Sequence, residues 1–149
     1  MKIFLIPIFA FTVVTGIGQT LTPIKVDSNL YSHAVDSLVK YILAKERPAS
    51  IILYSDLHIR STIPKNIQGQ KIIKTKNQNK LKVKDNSICI IVYPLGGTKN
   101  DRSVFLAITK YVNGYWGTWE GYGYDFKYSF DALKDFYVLK EVTKNMLIR

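Results

Sequence analysis

Cysteine is almost absent from this sequence of 149 residues, because Cys89 is the only one. A single cysteine excludes an intramolecular disulfide, so a hydrophobic core alone must stabilise the fold. Cys89 lies between Ile88 and Ile90, whereas a reactive thiol needs electropositive, partly exposed surroundings that stabilise the thiolate. We therefore expect an inert, buried thiol rather than a catalytic nucleophile.

Histidine and the usual catalytic motifs are also scarce. His33 and His58 are the only histidines, and zinc needs three or four ligands, so we expect no metal site and no cofactor. The sequence contains no Gly-X-Ser-X-Gly element, phosphate-binding glycine loop or metalloprotease helix pair. Asp56 stands two residues before His58, and an extended strand would place both side chains on one face. This pair keeps an exported hydrolase open as an alternative to a non-catalytic protein.

Long apolar runs occur only at the N-terminus. The segment between Lys2 and Gly16 is almost wholly apolar, and Gly16 and Gly18 stand where a signal peptidase requires small residues. The run is shorter than the roughly 20 residues that cross a bilayer. We therefore predict a cleavable signal peptide over residues 1–18 and a secreted or periplasmic protein over Gln19–Arg149, without a transmembrane helix.

Acidic residues are in the minority, with 11 Asp and Glu against 21 Lys and Arg. Residues 57–113 hold eleven basic and two acidic side chains, whereas the flanking parts of the predicted mature chain are balanced. Such a field attracts anionic partners. Its densest part is a run of six lysines: Lys71, Lys74, Lys76, Lys80, Lys82 and Lys84.

This run contains neither arginine nor an aromatic residue. Lysine alone suits diffuse attraction better than bidentate recognition, and binding to nucleic acid normally adds stacking aromatics. We therefore expect an anionic glycan, a lipid headgroup or a protein as partner rather than nucleic acid.

The pattern of apolar residues predicts one helix followed by strands. Apolar positions recur every three or four residues from Leu30 to about Glu46, and Pro48 ends the helix. The period then changes to two, which predicts strands at Ser50–Asp56, Lys71–Thr75, Ser87–Leu95, Ser103–Val112 and Tyr122–Phe130. The third and fourth of these predicted strands, Ser87–Leu95 and Ser103–Val112, should form a hairpin. Phe136–Ile148 fits a helix or a strand, and its β-rich start favours the strand.

These elements predict a single α+β domain over residues 19–149. One N-terminal helix packs on a twisted, mostly antiparallel sheet of about six strands. The order of elements, a helix followed by a meander, resembles the cystatin and NTF2-like folds. The resemblance concerns element order alone and implies no function.

A segment rich in glycine and aromatic residues, Asn113–Gly123, is predicted to be a loop. Its aromatic residues can stack on a flat ligand such as a sugar face, or they can close one end of the core; they are Tyr115, Trp116, Trp119 and Tyr122. Together with the lysine run, they predict an exported, non-catalytic binding protein. The alternatives are the hydrolase with His58 and Asp56, and a protein inhibitor that pairs with its partner through an edge strand.

Overall fold

The structure is a computed structural model that describes residues 23–25, 30–77 and 81–146. The predicted signal peptide and Lys80 lie outside these residues. In chain order the elements are β1 (Pro23–Lys25), α1 (Leu30–Lys45), β2 (Ile51–Tyr54), α2 (Leu57–Thr62), β3 (Asn66–Ile67), β4 (Gln70–Thr75), β5 (Ser87–Val92), β6 (Gly96–Gly97), β7 (Asp101–Val112), β8 (Tyr115–Asp131) and β9 (Phe136–Met146).

The described strands form one sheet of nine strands. Their order is β1-β9-β8-β7-β5-β2-β4-β3, and β6 pairs with β7. Most neighbours are antiparallel, so the α+β class and the mostly antiparallel sheet are confirmed. The predicted number of six strands is too low. The additional strands β1, β3 and β6 have only two or three residues, which is too short for an alternating pattern to reveal.

One part of the sheet, the three strands β5-β2-β4, is parallel rather than a meander. β2 runs parallel to both β4 and β5, and parallel strands need a crossover connection. The short helix α2 and strand β3 lie in the connection from β2 to β4. The predicted strand Ser50–Asp56 therefore ends at Tyr54, and the helix-and-meander order is incomplete as a description of this chain.

The predicted hairpin and the last strand are both present. β5 pairs with β7 in antiparallel register, and β6 lies in the connection between them. Phe136–Met146 forms β9, which pairs with β8 along its length, so this segment is a strand rather than a helix.

The core lies between α1 and one face of the sheet. The apolar stripe of the helix is buried and consists of Leu30, Ala34, Val35, Leu38, Val39 and Ile42. Aromatic residues occupy alternate positions of β8 and face this helix; Tyr124, Phe126 and Tyr128 among them are at most 1% exposed. The helix is thus held to the sheet by the large apolar area that both surfaces remove from water.

Strand residues that alternate with those of the core point to the opposite face of the sheet. Both described helices lie on the first face, which we call the helix face, because α1 and Ile59 of α2 belong to the same core cluster. On the opposite face, which we call the open face, the centre is buried at Ile52, Cys89 and Ala107. Partly exposed apolar residues surround this centre; they are Tyr54, Ile73, Ile91, Tyr93, Phe105, Tyr111 and Trp116.

Candidate binding surface

The segment Asn113–Gly123 is a turn and a strand rather than a loop. Asn113 and Gly114 have positive φ angles of 52° and 87° and form the turn between β7 and β8. β8 begins at Tyr115, and the register along β7 and β8 shifts once, at a β-bulge. Glycine inside a strand often marks a bulge, and Gly121 next to this shift has a φ of 71°. The glycines that suggested a loop are therefore accommodated within the strand.

The two indoles lie on opposite faces of the sheet, because residues three positions apart in a strand point in opposite directions. Trp119 is 6% exposed and packs on the helix face, where its Nε1 donates a hydrogen bond to the carboxylate of Glu46. Trp116 lies on the open face, with its ring centroid 5.1 Å from that of Tyr111. Trp119 is thus part of the core, and it shares no surface with Trp116.

The other two aromatic residues of the segment are also separated. Tyr115 is 80% exposed at the start of β8. Tyr122 is partly buried, and Nζ of Lys144 lies 3.9 Å from the centroid of its ring. The four aromatics therefore do not form one platform, and only Tyr115 and Trp116 contribute to an accessible surface near the turn.

Four of the six lysines in the basic run are exposed in the structure: Lys71, Lys76, Lys82 and Lys84. Among the described residues, none of these four forms a salt bridge. Lys71 belongs to the open face, two positions before Ile73 in the same strand, and Lys76 follows that strand directly. The exposed lysines therefore lie along the outer end of the sheet and the connection to β5.

Lys74 has a structural contact instead. Its Nζ donates hydrogen bonds to the backbone oxygens of Arg60, at 2.7 Å, and of Ile63 at the end of α2. Partial burial lowers the pKa of this ammonium group, and the positive charge of Lys65 lowers it further. A lysine that satisfies the last carbonyl groups of a helix stabilises that helix end. Lys74 thus holds α2 on the sheet.

Asp56 and His58 do not share a strand face, so that prediction is wrong. Asp56 is the N-cap residue of α2, where its side chain makes no capping hydrogen bond. His58 is an exposed residue within α2. In residues 30–77 and 81–146 no group of three or more His, Cys, Asp or Glu side chains is placed to hold a metal ion.

The open face brings Trp116 together with three aromatic residues that belong to no predicted site: Tyr93, Phe105 and Tyr111. Tyr93 and Phe105 stack at 5.3 Å between centroids with their planes at 53°, and Tyr111 pairs with Trp116. The sequence of β7 indicates this surface. Phe105 and Tyr111 occupy odd-numbered positions of the strand, whereas the buried Leu106 and Ile108 occupy even-numbered ones, so the two pairs lie on opposite faces.

The architecture defines the class of the protein as an α+β domain whose mixed sheet has one helix face and one open face. No family model matches the chain, and neither a curated protein nor a solved structure does. None of the described helices is long and apolar enough to cross a membrane.

Proposed function

We propose that this chain is an exported, non-catalytic binding protein that contacts an anionic partner through its open face and its exposed lysines. The observation that carries the proposal is the juxtaposition of two features at the outer end of the sheet. Partly exposed apolar side chains lie on a sheet face that no described helix covers. Exposed lysines that form no salt bridge within the described residues lie on β4 and in its connection to β5.

The apolar part of this surface is a group of side chains on one sheet face rather than a set of scattered exposed residues. Tyr54, Ile73 and Tyr93 are 36%, 37% and 44% exposed on strands or strand ends of the same face. Contiguous exposed apolar surface on a soluble domain often marks an interaction site. Aromatic side chains in such a patch supply contact area with few rotatable bonds to immobilise.

The charged part of the surface differs from the rest of the molecule. Six lysines outside the basic run are paired with acids, whereas Lys65, Lys99 and Lys140 form no salt bridge within the described residues. In two of the paired cases, Lys40 lies 2.7 Å from Asp36, and Lys127 lies 3.0 Å from Glu141. The four exposed lysines of the basic run have no such acid within the described residues. Their charge is therefore available to attract an anionic partner and to raise the rate of association.

Tryptophan fluorescence tests the proposal, because the two indoles report different faces. In a Trp119→Phe variant of Gln19–Arg149, Trp116 on the open face is the only indole. In the matched Trp116→Phe variant, only the buried Trp119 remains. Both variants are titrated with polygalacturonate and with phosphatidylglycerol vesicles, and with neutral dextran and phosphatidylcholine vesicles as controls. We expect an anionic ligand to protect Trp116 from iodide and to leave Trp119 unaffected.

The contribution of the lysines is measured with the same ligand. Replacement of Lys71, Lys76, Lys82 and Lys84 by glutamine should weaken its binding at least about tenfold at low salt, and added salt should weaken binding to the unmodified protein. The proposal fails if neither anionic ligand protects Trp116. It also fails if the four substitutions leave the affinity unchanged.

A protein partner that adds a strand to the sheet is the second candidate. β3 pairs only with Gln70 and Lys71 of β4, so beyond Ile72 no described strand pairs with the outer side of β4. Exposed sheet edges accept partner strands, although lysines at an edge oppose such pairing. A bound strand would slow hydrogen exchange at the Lys74 amide, whereas contact with the open face alone would leave that exchange rate unchanged.

A further inference from the structure

A cleft of about 410 Å³ lies on the open face, at the end of the strand order opposite the basic run. It lies over the first part of β7 and the adjacent parts of β8 and β9. The open-face residues that line it are Asp101, Ser103, Asp125, Lys127 and Glu141. Its volume falls in the range of small-molecule sites, which is about 300–1,000 Å³.

Asp125 is the residue of this cleft that lacks a partner. Its Oδ1 is enclosed, and no hydrogen-bond donor of the described chain reaches it. Burial raises the pKa of this carboxyl group, the charge of Lys127 lowers it, and that of Glu141 raises it again. The oxygens of a carboxyl group accept hydrogen bonds in both of its forms, and a raised pKa makes the neutral form, which also donates one, easier to reach. This is the pair of functions that a sugar hydroxyl group can satisfy.

The other polar groups of the cleft are partly paired. Nζ of Lys127 lies 3.0 Å from the carboxylate of Glu141, and the carboxylate of Asp101 accepts a hydrogen bond of 3.0 Å from Ser129. Arg102 and Lys140 also line the cleft, and no acidic side chain of the described ranges forms a salt bridge with either. The cleft therefore offers polar groups for hydroxyls and two cationic groups for a carboxylate.

An aromatic surface borders these polar groups. Phe105 on β7 is the register partner of Asp125 on β8. The ring of Tyr93, which follows β5, contacts the ring of Phe105 at a tilted angle. The ring of Phe105 lies over Gly123, where an added Cβ would come within 2.4 Å of its Cζ. Gly123, two residues before Asp125 in the same strand, thus allows the phenyl ring to lie close to the sheet. Polar groups next to an aromatic face are the arrangement that binds a sugar ring, through its hydroxyls and its apolar face.

We propose that this cleft binds one sugar ring of an anionic glycan, with Asp125 bonded to its hydroxyls and Phe105 beside its apolar face. The inference rests on the proposed function, because it names the anionic partner as a saccharide whose remaining charges lie toward the exposed lysines.

Isothermal calorimetry with short oligosaccharides tests the inference. Trigalacturonic acid and trisaccharides of glucose, galactose, mannose and N-acetylglucosamine are compared with tricarballylate, which has three carboxylates and no sugar ring. Trigalacturonic acid should bind at least about tenfold more tightly than tricarballylate, and binding of the neutral trisaccharides alone would overturn the assignment to an anionic glycan. Asp125→Ala should remove about tenfold of that affinity, whereas Asp125→Asn should keep it within about threefold, because an amide still donates and accepts. Tyr115→Ala, at the other end of β8, is the matched control and should have no effect.

Amide chemical shifts of the unmodified protein give a second measurement that needs no variant. Addition of the saccharide should perturb Gly97, Asp125 and Lys140, and leave Tyr115 unchanged.

Shifts that cluster away from the cleft overturn the inference, as does equal binding of tricarballylate. Loss of affinity in Asp125→Asn as large as in Asp125→Ala, with competition by putrescine, would indicate a cation site instead. Polygalacturonate that still binds Asp125→Ala with full, lysine-dependent affinity overturns the cleft site and leaves the proposed function intact.

Discussion

On the helix face, the rings of Tyr124, Phe126 and Tyr128 are at most 1% exposed, whereas on the open face Phe105 and Trp116 remain partly exposed. Both sets of rings lie on adjacent central strands of one sheet. The difference arises from what packs against each face: α1 covers the first, and on the second the rings contact one another.

The polar groups of the buried rings show how the helix face is completed. Nδ1 of His33 on α1 lies 3.0 Å from the hydroxyl of Tyr128, and Glu46 at the end of α1 accepts from the indole of Trp119. Buried Tyr and Trp normally need such partners. The helix therefore supplies both apolar cover and hydrogen bonds. The open face receives neither from the described helices, so its rings are free to meet a partner.

Alanine at the two phenylalanines should give the largest difference between the faces. Phe126→Ala should lower the free energy of unfolding by about 3–5 kcal/mol, because a fully buried ring leaves a cavity. Phe105→Ala should cost roughly 1–2 kcal/mol, because its ring is already partly in water. Urea denaturation of both variants measures the values. If Phe126→Ala does not fold, Phe126→Leu should still cost about 1–1.5 kcal/mol. Equal losses at the two sites would mean that the open face is as well covered as the helix face.

The helix face could be predicted from the sequence because its signals are local and regular. The repeat of three and four residues from Leu30 gives α1 to within one residue, and the alternation from Tyr122 gives the stripe that packs on it. In both cases one long, periodic segment carries the information. The segment Phe136–Met146 fits a helix as well as a strand, and its pairing with β8 makes it a strand.

The parallel part of the sheet and the candidate site depend on contacts between distant segments. The pairing of β2 with β4 and β5 joins residues far apart in sequence, and α2 is a six-residue helix with little periodicity. Trp119 became a core residue because α1 brings Glu46 to it, which no pattern around Trp119 records. The exposure of four lysines was predictable from their charge alone. The role of Lys74 was not, because it depends on the position of the end of α2.

Removal of the polar anchor at Glu46 should have the next largest effect. Its carboxylate accepts from Trp119 and pairs with Lys110, and both sites are partly shielded from solvent. Glu46→Ala should cost about 2 kcal/mol, because it leaves the indole without an acceptor and Lys110 without an anion. Glu46→Gln keeps an acceptor and should cost less. Thermal unfolding and the emission maximum of Trp119 provide the measurements.

The matched control for this prediction is Glu120→Gln. Glu120 pairs with Lys45 and Lys144 at the surface, where ion pairs contribute little, about 0–1 kcal/mol. A loss at Glu120 as large as at Glu46 would contradict the view that Glu46 is an anchor of the core.

A smaller, pH-dependent effect should come from His33. Burial lowers the pKa of its imidazole below the ordinary 6.5, Asp36 raises it, and Lys40 lowers it further. As the pH falls below about 6.5, the unfolded chain takes up this proton before the folded protein does. Stability should therefore decrease between pH 7.5 and pH 5.5 through this group. His33→Gln keeps an acceptor for the hydroxyl of Tyr128 and should show a flatter dependence of the urea midpoint. His58→Gln, on the exposed surface, is the control, and an identical slope in all three proteins would contradict the prediction.

The smallest effect is expected at Ile73, and it is the most direct test of the open face. Ile73 is 37% exposed on β4, whereas its neighbour Ile72 is 4% exposed on the helix face. Ile73→Thr keeps a β-branched residue in the strand and should change the free energy of unfolding by less than about 0.5 kcal/mol. Ile72→Thr places a hydroxyl in the core and should cost about 1–3 kcal/mol. Urea midpoints of the two variants, at several protein concentrations, measure the difference. If Ile73→Thr costs as much as Ile72→Thr, the open face is already covered in the free protein. The surface would then be unavailable to a partner, and the proposed function would have to be abandoned.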